Sequence, residues 1–467
     1  MSENKKGGLN IGVKSFVTAL AIIFILMIAA YILTLVIPGG SYARILDENG
    51  NTVIDTEGGF SDAEGGLPFY KWLLSPFLVL GASGSGTLIA VIIFLLVIGA
   101  VFTALDRCGL MRYMLDKLVA KFGGVRYRLM ALLIFFFMSL GALIGSFEEC
   151  VPLVPIVVAL AVNLGWNTTV GISMSLLSVG CGFASGVCNP FTVGVAQELA
   201  GLPMFSGALM RLLAFILIYI LLLTFTYFYA KKIEKPIEVG NLDHSYEQRA
   251  EMDKALLCFS SVMGVGIFLI ICSGFITVLQ DYTMIIVAIM FLVAGISSTL
   301  IAKLGPRKLL KSSVSGVVEM LPAVLMILMA SSIKYTLEEA SVLDRILHEA
   351  IGIAEKLPAA AVILFIYLIV LVMNFFIPSG SAKAFMLIPL IVPMAEVFGI
   401  SAQLCVMAFA FGDGFSNVFY PTNPALLISL GVVEMPYGKW FKWSYKFQLA
   451  NLVLTSLLLL LGLAIGY

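Results

Sequence analysis

A series of apolar runs of about 20 residues constrains this chain most, because each is long enough to cross ~30 Å of hydrocarbon as a helix. The runs are Phe16 to Ile37, Thr87 to Leu105, Thr168 to about Leu199, Ser206 to Ala230, Ala255 to Leu279, Met284 to Leu304, Ser313 to Ser332, Ala402 to Leu430 and Trp443 to Ile465. They predict an all-α polytopic membrane protein with about nine crossings. The first run, at about 22 residues, exceeds the roughly 7–15-residue core of a signal peptide and reads as a retained anchor. Composition agrees: 60% of residues are hydrophobic and 12% charged, against about 25% charged in a soluble domain.

Several function classes drop out. The 28 basic residues balance 28 acidic ones, so no basic excess points to nucleic acid as a partner. Only two histidines occur, His244 and His348, both in polar connecting segments. They offer no His-based metal centre and no catalytic dyad. The seven cysteines are scattered singly and imply no disulfide framework. No phosphate-binding GxxxxGK[ST] pattern supplies an ATP-driven engine. The reading is a membrane protein that is not an enzyme and holds no cofactor.

Two further apolar stretches fit poorly as single spans, Leu129 to Leu164 and Pro358 to Phe398. Each is interrupted near its middle, by Gly145-Ser146-Phe147-Glu148-Glu149 and by Pro378-Ser379-Gly380-Ser381-Ala382-Lys383. They read as re-entrant helical hairpins, because backbone released from helical bonding at membrane depth survives only where protein or a wet cavity satisfies it. With the N-terminus inside, most Lys and Arg fall on the inner side, as the positive-inside rule requires. The acidic loop Ser41 to Gly66 and the C-terminal Tyr467 then lie outside.

Shifting the chain by about 234 residues sets Pro155 on Pro389, Gly165 on Gly399, Gly180 on Gly414 and Asn189-Pro190 on Asn423-Pro424. The expected organisation is therefore two repeats. Residues 1–254 carry hairpin 129–164 and broken helix 168–199, and residues 255–467 carry hairpin 358–398 and broken helix 402–432. An odd number of crossings between the hairpins makes the repeats inverted. Inverted repeats with interrupted helices in matching positions point to a secondary transporter with its site near the membrane midplane.

The breaks hold the chemistry. Glu148, Glu149 and Asp413 are carboxylates inside apolar stretches, where an ionisable group costs about 2.5–3.5 kcal/mol and marks a site or pathway. The repeat register sets Glu149 opposite Lys383. Two acids and one base at facing tips mirror a basic amino acid, which carries two positive groups and one carboxylate; a dicarboxylate is repelled unless the acids are protonated or sodium-loaded. Ser146, Asn189, Ser379, Ser381, Asn417, Thr422 and Asn423 add neutral donors and acceptors. Lys383 has three open roles: gripping the cargo carboxylate, a standing ion pair with Glu149 or Asp413, or snorkelling to the outer surface.

Five segments carry a resemblance: Glu148-Glu149, Asn189-Pro190-Phe191-Thr192-Val193-Gly194, Phe376-Ile377-Pro378-Ser379-Gly380-Ser381, Gly412-Asp413-Gly414-Phe415-Ser416-Asn417 and Pro421-Thr422-Asn423-Pro424. In these the chain resembles the YfcC family, the basic amino acid antiporter branch of the ion transporter superfamily, related to the anaerobic C4-dicarboxylate carriers. The resemblance implies an elevator-type transporter of the bacterial inner membrane, in which hairpins and broken helices move against a scaffold that often forms a homodimer. It adds Pro190, Thr192 and Gly380 to the site. The activity implied is exchange of basic amino acids such as arginine and ornithine. The alternative is a sodium- or proton-coupled symporter of dicarboxylates, other carboxylates or small peptides, and the coupling ion, Na+ or H+, stays open.

Overall fold

A computed structural model describes residues 13–46, 52–54, 58–82, 85–111, 113–114, 117, 123–143, 145, 147–203, 205–235, 250–273, 283–354 and 357–467. His244 lies outside them. The chain is a multi-pass, almost wholly helical membrane protein: eight of the described helices are long and apolar enough to cross a bilayer. In order, the helices are α1 (Val13–Val36), α2 (Phe69–Leu78), α3 (Ser85–Arg107), α4 (Arg126–Leu143), α5 (Val154–Asn163), α6 (168–185), α7 (Val195–Leu199), α8 (Ala208–Ile233), α9 (Ala250–Ser273) and α10 (Thr283–Ile301). They continue as α11 (Pro306–Glu339), α12 (Val342–Ala354), α13 (Ala359–Phe376), α14 (Gly380–Val397), α15 (Ala402–Asn417), α16 (Pro424–Val432) and α17 (Tyr437–Ile465).

The eight differ from the nine crossings expected. Three are arms of the expected hairpins, α4, α13 and α14, and each has 18 residues, which at 1.5 Å per residue is about the hydrocarbon thickness. These arms are not short, so arm length gives no argument for dipping. The second arm of the first hairpin differs, with a tight turn over Glu148–Leu153 preceding the ten-residue α5. Pro152 cannot donate a backbone bond within that turn, and Pro155 stands in the first turn of α5, where no intrahelical donor is needed.

Polar residues set the helix starts. Asn167, which by letter opens a glycosylation sequon, accepts from Val170 N at 3.1 Å and caps α6. Ser401 caps α15 in the same way through Leu404 N, at 3.1 Å, an equivalent place at the offset of about 234. α6 and α15 lie at the centre. Every residue of α15 except Gln403 is buried, as expected of its stretch Leu404 to Phe411, which is apolar on all sides. The two cross closely and reciprocally: a side chain at Gly180 would come within 2.5 Å of Val418 Cγ1, and one at Gly414 within 2.3 Å of Ala184 Cα.

The acidic loop after α1 is not a simple loop. It forms two antiparallel pairs, β1 (Gly39–Tyr42) with β4 (Phe60–Ala63) and β2 (Arg44–Leu46) with β3 (Thr52–Ile54). These clasp α12. Arg44 Nη2 donates to both oxygens of Asp344 at 2.9 and 2.8 Å, Tyr42 N donates to the same carboxylate at 3.1 Å, and Asp62 pairs with Arg345 at 2.6 Å. His348 lies in α12 rather than in a loop, hydrogen-bonded to Tyr42 Oη at 3.0 Å and stacked on Phe60. Burial, with the Asp344 carboxylate nearby, pushes the Tyr42 phenol up to about 12. Asp344→Ala removes the acceptor of three hydrogen bonds from two donor groups and should cost about 1–3 kcal/mol. Limited proteolysis within residues 41–66 should then accelerate severalfold without loss of the helical circular dichroism.

Candidate functional site

Four charged side chains are buried among the described residues, Arg211, Asp344, Lys383 and Asp413. Two of them meet at the centre. Lys383, on the first turn of α14, turns inward and is 0% exposed. Its Nζ donates to Asp413 Oδ1 at 2.6 Å, to the Ile377 carbonyl at 2.8 Å and to the side-chain oxygen of Asn374. Lys383 therefore does not snorkel to the surface. Its stem runs through the packed interior and brings Nζ back to the carbonyl of Ile377, six residues earlier in the chain.

Asn374 organises the surroundings. From the end of α13 its Nδ2 lies within hydrogen-bond reach of the Asp413 carbonyl (3.0 Å), Ser416 Oγ (2.6 Å) and Asn417 Oδ1 (3.0 Å). Asn417 Oδ1 also accepts from Asn423 Nδ2 at 3.1 Å. A continuous polar chain thus runs from the second hairpin to the second Asn-Pro break. Asn374 and Ser416 are absent from the site expected from sequence. Asn374 had a legible signal, being the one amide side chain in the apolar run of α13.

The two Asn-Pro breaks are built alike. Asn189 Oδ1 accepts from Thr192 N and Asn423 Oδ1 from Leu426 N, both at 3.2 Å. Each asparagine caps the turn that its following proline, Pro190 or Pro424, reopens. Carbonyls stranded where the preceding helices stop are taken by neighbouring elements. Arg211, in the first turn of α8, donates to the Val187 carbonyl from Nε at 3.4 Å and Nη2 at 3.3 Å. Trp440 Nε1 and Tyr437 Oη, in α17, donate to the Val418 and Phe419 carbonyls, both at 2.9 Å. Broken backbone inside a membrane protein needs such donors. Arg211 also escaped the sequence reading.

The hairpin tips close on these breaks. Gly380 passes so near that a side chain there would come within 2.3 Å of Thr192 Cγ2 and 2.6 Å of Asp413 Oδ2. A side chain at Gly145 would overlap Asn189. Asp413 Oδ2, Thr192 Oγ1 and Thr422 Oγ1 are buried with no hydrogen-bond partner, and the first two residues lie against Gly380, so the second tip covers polar groups that can receive a ligand. Ser379 is exposed and caps α14, while Gly380 and Ser381 are half-buried. Thus Asn189, Thr192, Gly380, Lys383, Asp413, Asn417 and Asn423 converge, with Pro190 in the turn between them. Ser146 and the side chains of Glu148 and Glu149 lie outside the described residues, and only the backbone turn of the two glutamates is described. Lys383 is paired with Asp413; its expected neighbour Glu149 has no described side chain to compare.

Comparison with known proteins gives one family. The family model described as "DcuC: C4-dicarboxylate anaerobic carrier" matches residues 16–464. A protein of Escherichia coli strain K12 described as "Putative basic amino acid antiporter YfcC" is 29% identical over 412 residues, covering 82% of this chain and 80% of that protein. Among solved structures, the YdaH transporter of Alcanivorax borkumensis is 17% identical, with 97% of this chain and 99% of that one covered at a TM-score of 0.45. MtrF of Neisseria gonorrhoeae is 16% identical, with 94% of each chain covered at a TM-score of 0.47.

Proposed function

Because this chain belongs to the DcuC family of C4-dicarboxylate anaerobic carriers, and so to a family of transporters rather than enzymes, we propose that it exchanges basic amino acids, of the arginine-for-ornithine kind, across the bacterial cytoplasmic membrane. Charge balance carries this reading. Lys383 and Asp413 cancel one another inside the protein. Of the charged residues in the two tips and two breaks, Glu148 and Glu149 then remain without a matching base in those segments. Two carboxylates suit the two cationic groups of arginine or ornithine. The cargo carboxylate is suited by the N-terminal ends of α14 and α16, where backbone N–H groups and the helix dipole favour an anion. The description of the Escherichia coli relative supports the same cargo.

The mechanism we propose is an elevator. Residues 1–254 and 255–467 act as inverted repeats whose hairpins and broken helices move together against the scaffold of a homodimer, with the N-terminus inside and the C-terminus outside. The reciprocal packing at Gly180 and Gly414 and the matched Asn caps support it. The second reading, cation-coupled dicarboxylate symport, is favoured by one observation: Lys383 removes the repulsion that Asp413 would otherwise present to an anion.

Counterflow in proteoliposomes separates the two. Vesicles loaded with arginine should take up labelled ornithine, and Glu148→Gln or Glu149→Gln should reduce that uptake at least about tenfold, the effect of roughly 1.4 kcal/mol of lost interaction, with expression intact. Succinate uptake that arginine neither drives nor inhibits would overturn the amino acid reading.

A further inference from the structure

The surroundings of the Lys383 ammonium are those of a bound cation. An ammonium has three N–H donors, and all three are used, by Asn374 Oδ1, the Ile377 carbonyl and Asp413 Oδ1. These acceptors are all oxygens: one carboxylate, one amide and one main-chain carbonyl. Hard monovalent and divalent cations take this ligand type. The arrangement along the chain fits as well. Ile377 is the residue that ends α13, so its carbonyl lies at the negative end of a helix dipole. Carbonyls at interrupted helix ends are where membrane carriers hold coupling ions. The acceptors come from α13, its end and α15, whereas the ammonium comes from α14, whose start is the second hairpin tip. The remaining oxygen of the carboxylate, Asp413 Oδ2, is unpartnered and lies against Gly380 of that tip.

We propose that Lys383 is a tethered substitute for a coupling cation. Its ammonium neutralises Asp413 and satisfies the end of α13, which holds the second tip closed on the site with no bound ion. The carrier then has no requirement for an external monovalent cation. With every donor engaged and the side chain 0% exposed, Lys383 has none left for the cargo carboxylate in this conformation. The inference holds whichever cargo is carried, and its test reads ion binding and thermal stability rather than transport.

Sodium is the probe. For the purified wild-type protein, replacing choline chloride by sodium chloride at equal ionic strength should leave the unfolding midpoint unmoved, and no saturable binding of radioactive sodium should appear. Lys383→Ala empties the oxygen cage while leaving Asp413 charged. It should bind radioactive sodium saturably, at about tenfold above the non-saturable background of the wild type, and unfold at a higher temperature as sodium is added, since a ligand that binds only the folded state stabilises it by mass action. Lys383→Ala combined with Asp413→Asn removes both charges; it should fold and lose the sodium response. Saturable sodium stabilisation of the wild type would overturn the proposal. So would a folded Lys383→Ala protein that answers to none of sodium, lithium and potassium. If Lys383→Ala cannot be obtained folded even when prepared in sodium chloride while the double variant can, sodium does not replace the ammonium and the proposal fails.

Discussion

Asp413→Leu should cost the folded protein about 3–5 kcal/mol, the usual effect of removing one partner from a buried ion pair, and should abolish transport. The loss comes from Lys383, whose charge is left in a fully buried position with two neutral acceptors, Asn374 and Ile377. Asp413→Leu combined with Lys383→Met should recover most of that stability, because well-packed apolar replacements of both partners are often neutral or better. It should still transport nothing if the pair belongs to the site. Thermal unfolding of the three proteins in one detergent, beside counterflow in proteoliposomes, checks both halves. A double variant that transports normally would reduce the pair to a packing element.

The second large effect concerns the crossing of the two central helices. Gly414→Ala should sharply lower the yield of folded protein, whereas Gly180→Ala should be tolerated, although the two glycines hold equivalent places about 234 residues apart. A methyl at Gly414 would meet the backbone of Ala184, with Cα and N both at 2.3 Å. Backbone cannot move aside without displacing α6, and forced overpacking of this kind costs about 1–3 kcal/mol or more. A methyl at Gly180 would meet only the Val418 side chain, 2.5 Å away at Cγ1, and that side chain can change rotamer. Size-exclusion profiles of the two variants, expressed side by side, give the comparison.

Much of the architecture is legible in local chemistry. Apolar runs declare helices that must lie in a membrane, because nothing else buries so much apolar surface. Asn189-Pro190 and Asn423-Pro424 declare interruptions, because proline cannot donate to the preceding turn and asparagine caps the next one. Those rules act within a few residues and do not depend on what packs nearby. The hairpin arms were harder to read. α13 and α14 are helices of 18 residues each, and their apolar composition alone does not distinguish dipping from crossing. The strands of the loop after α1 were missed for a related reason: they are three or four residues long, too short for an alternating pattern to stand out.

Partnership was decided only by the tertiary structure. Sequence drew attention to Lys383 and Asp413 as misplaced charges, since an ionisable group in an apolar run is costly wherever it finally points. It left open whether the lysine met Glu149, Asp413, cargo or water. Packing chose Asp413, 30 residues away, and brought in Asn374, whose bonds reach Asp413, Ser416 and Asn417 on the neighbouring helix. The clasp of Arg44 on Asp344 spans 300 residues. Such pairs have no local signature, because the energy that selects them is the desolvation of a group within a particular interior. That interior exists only once α6, α13, α14 and α15 have packed.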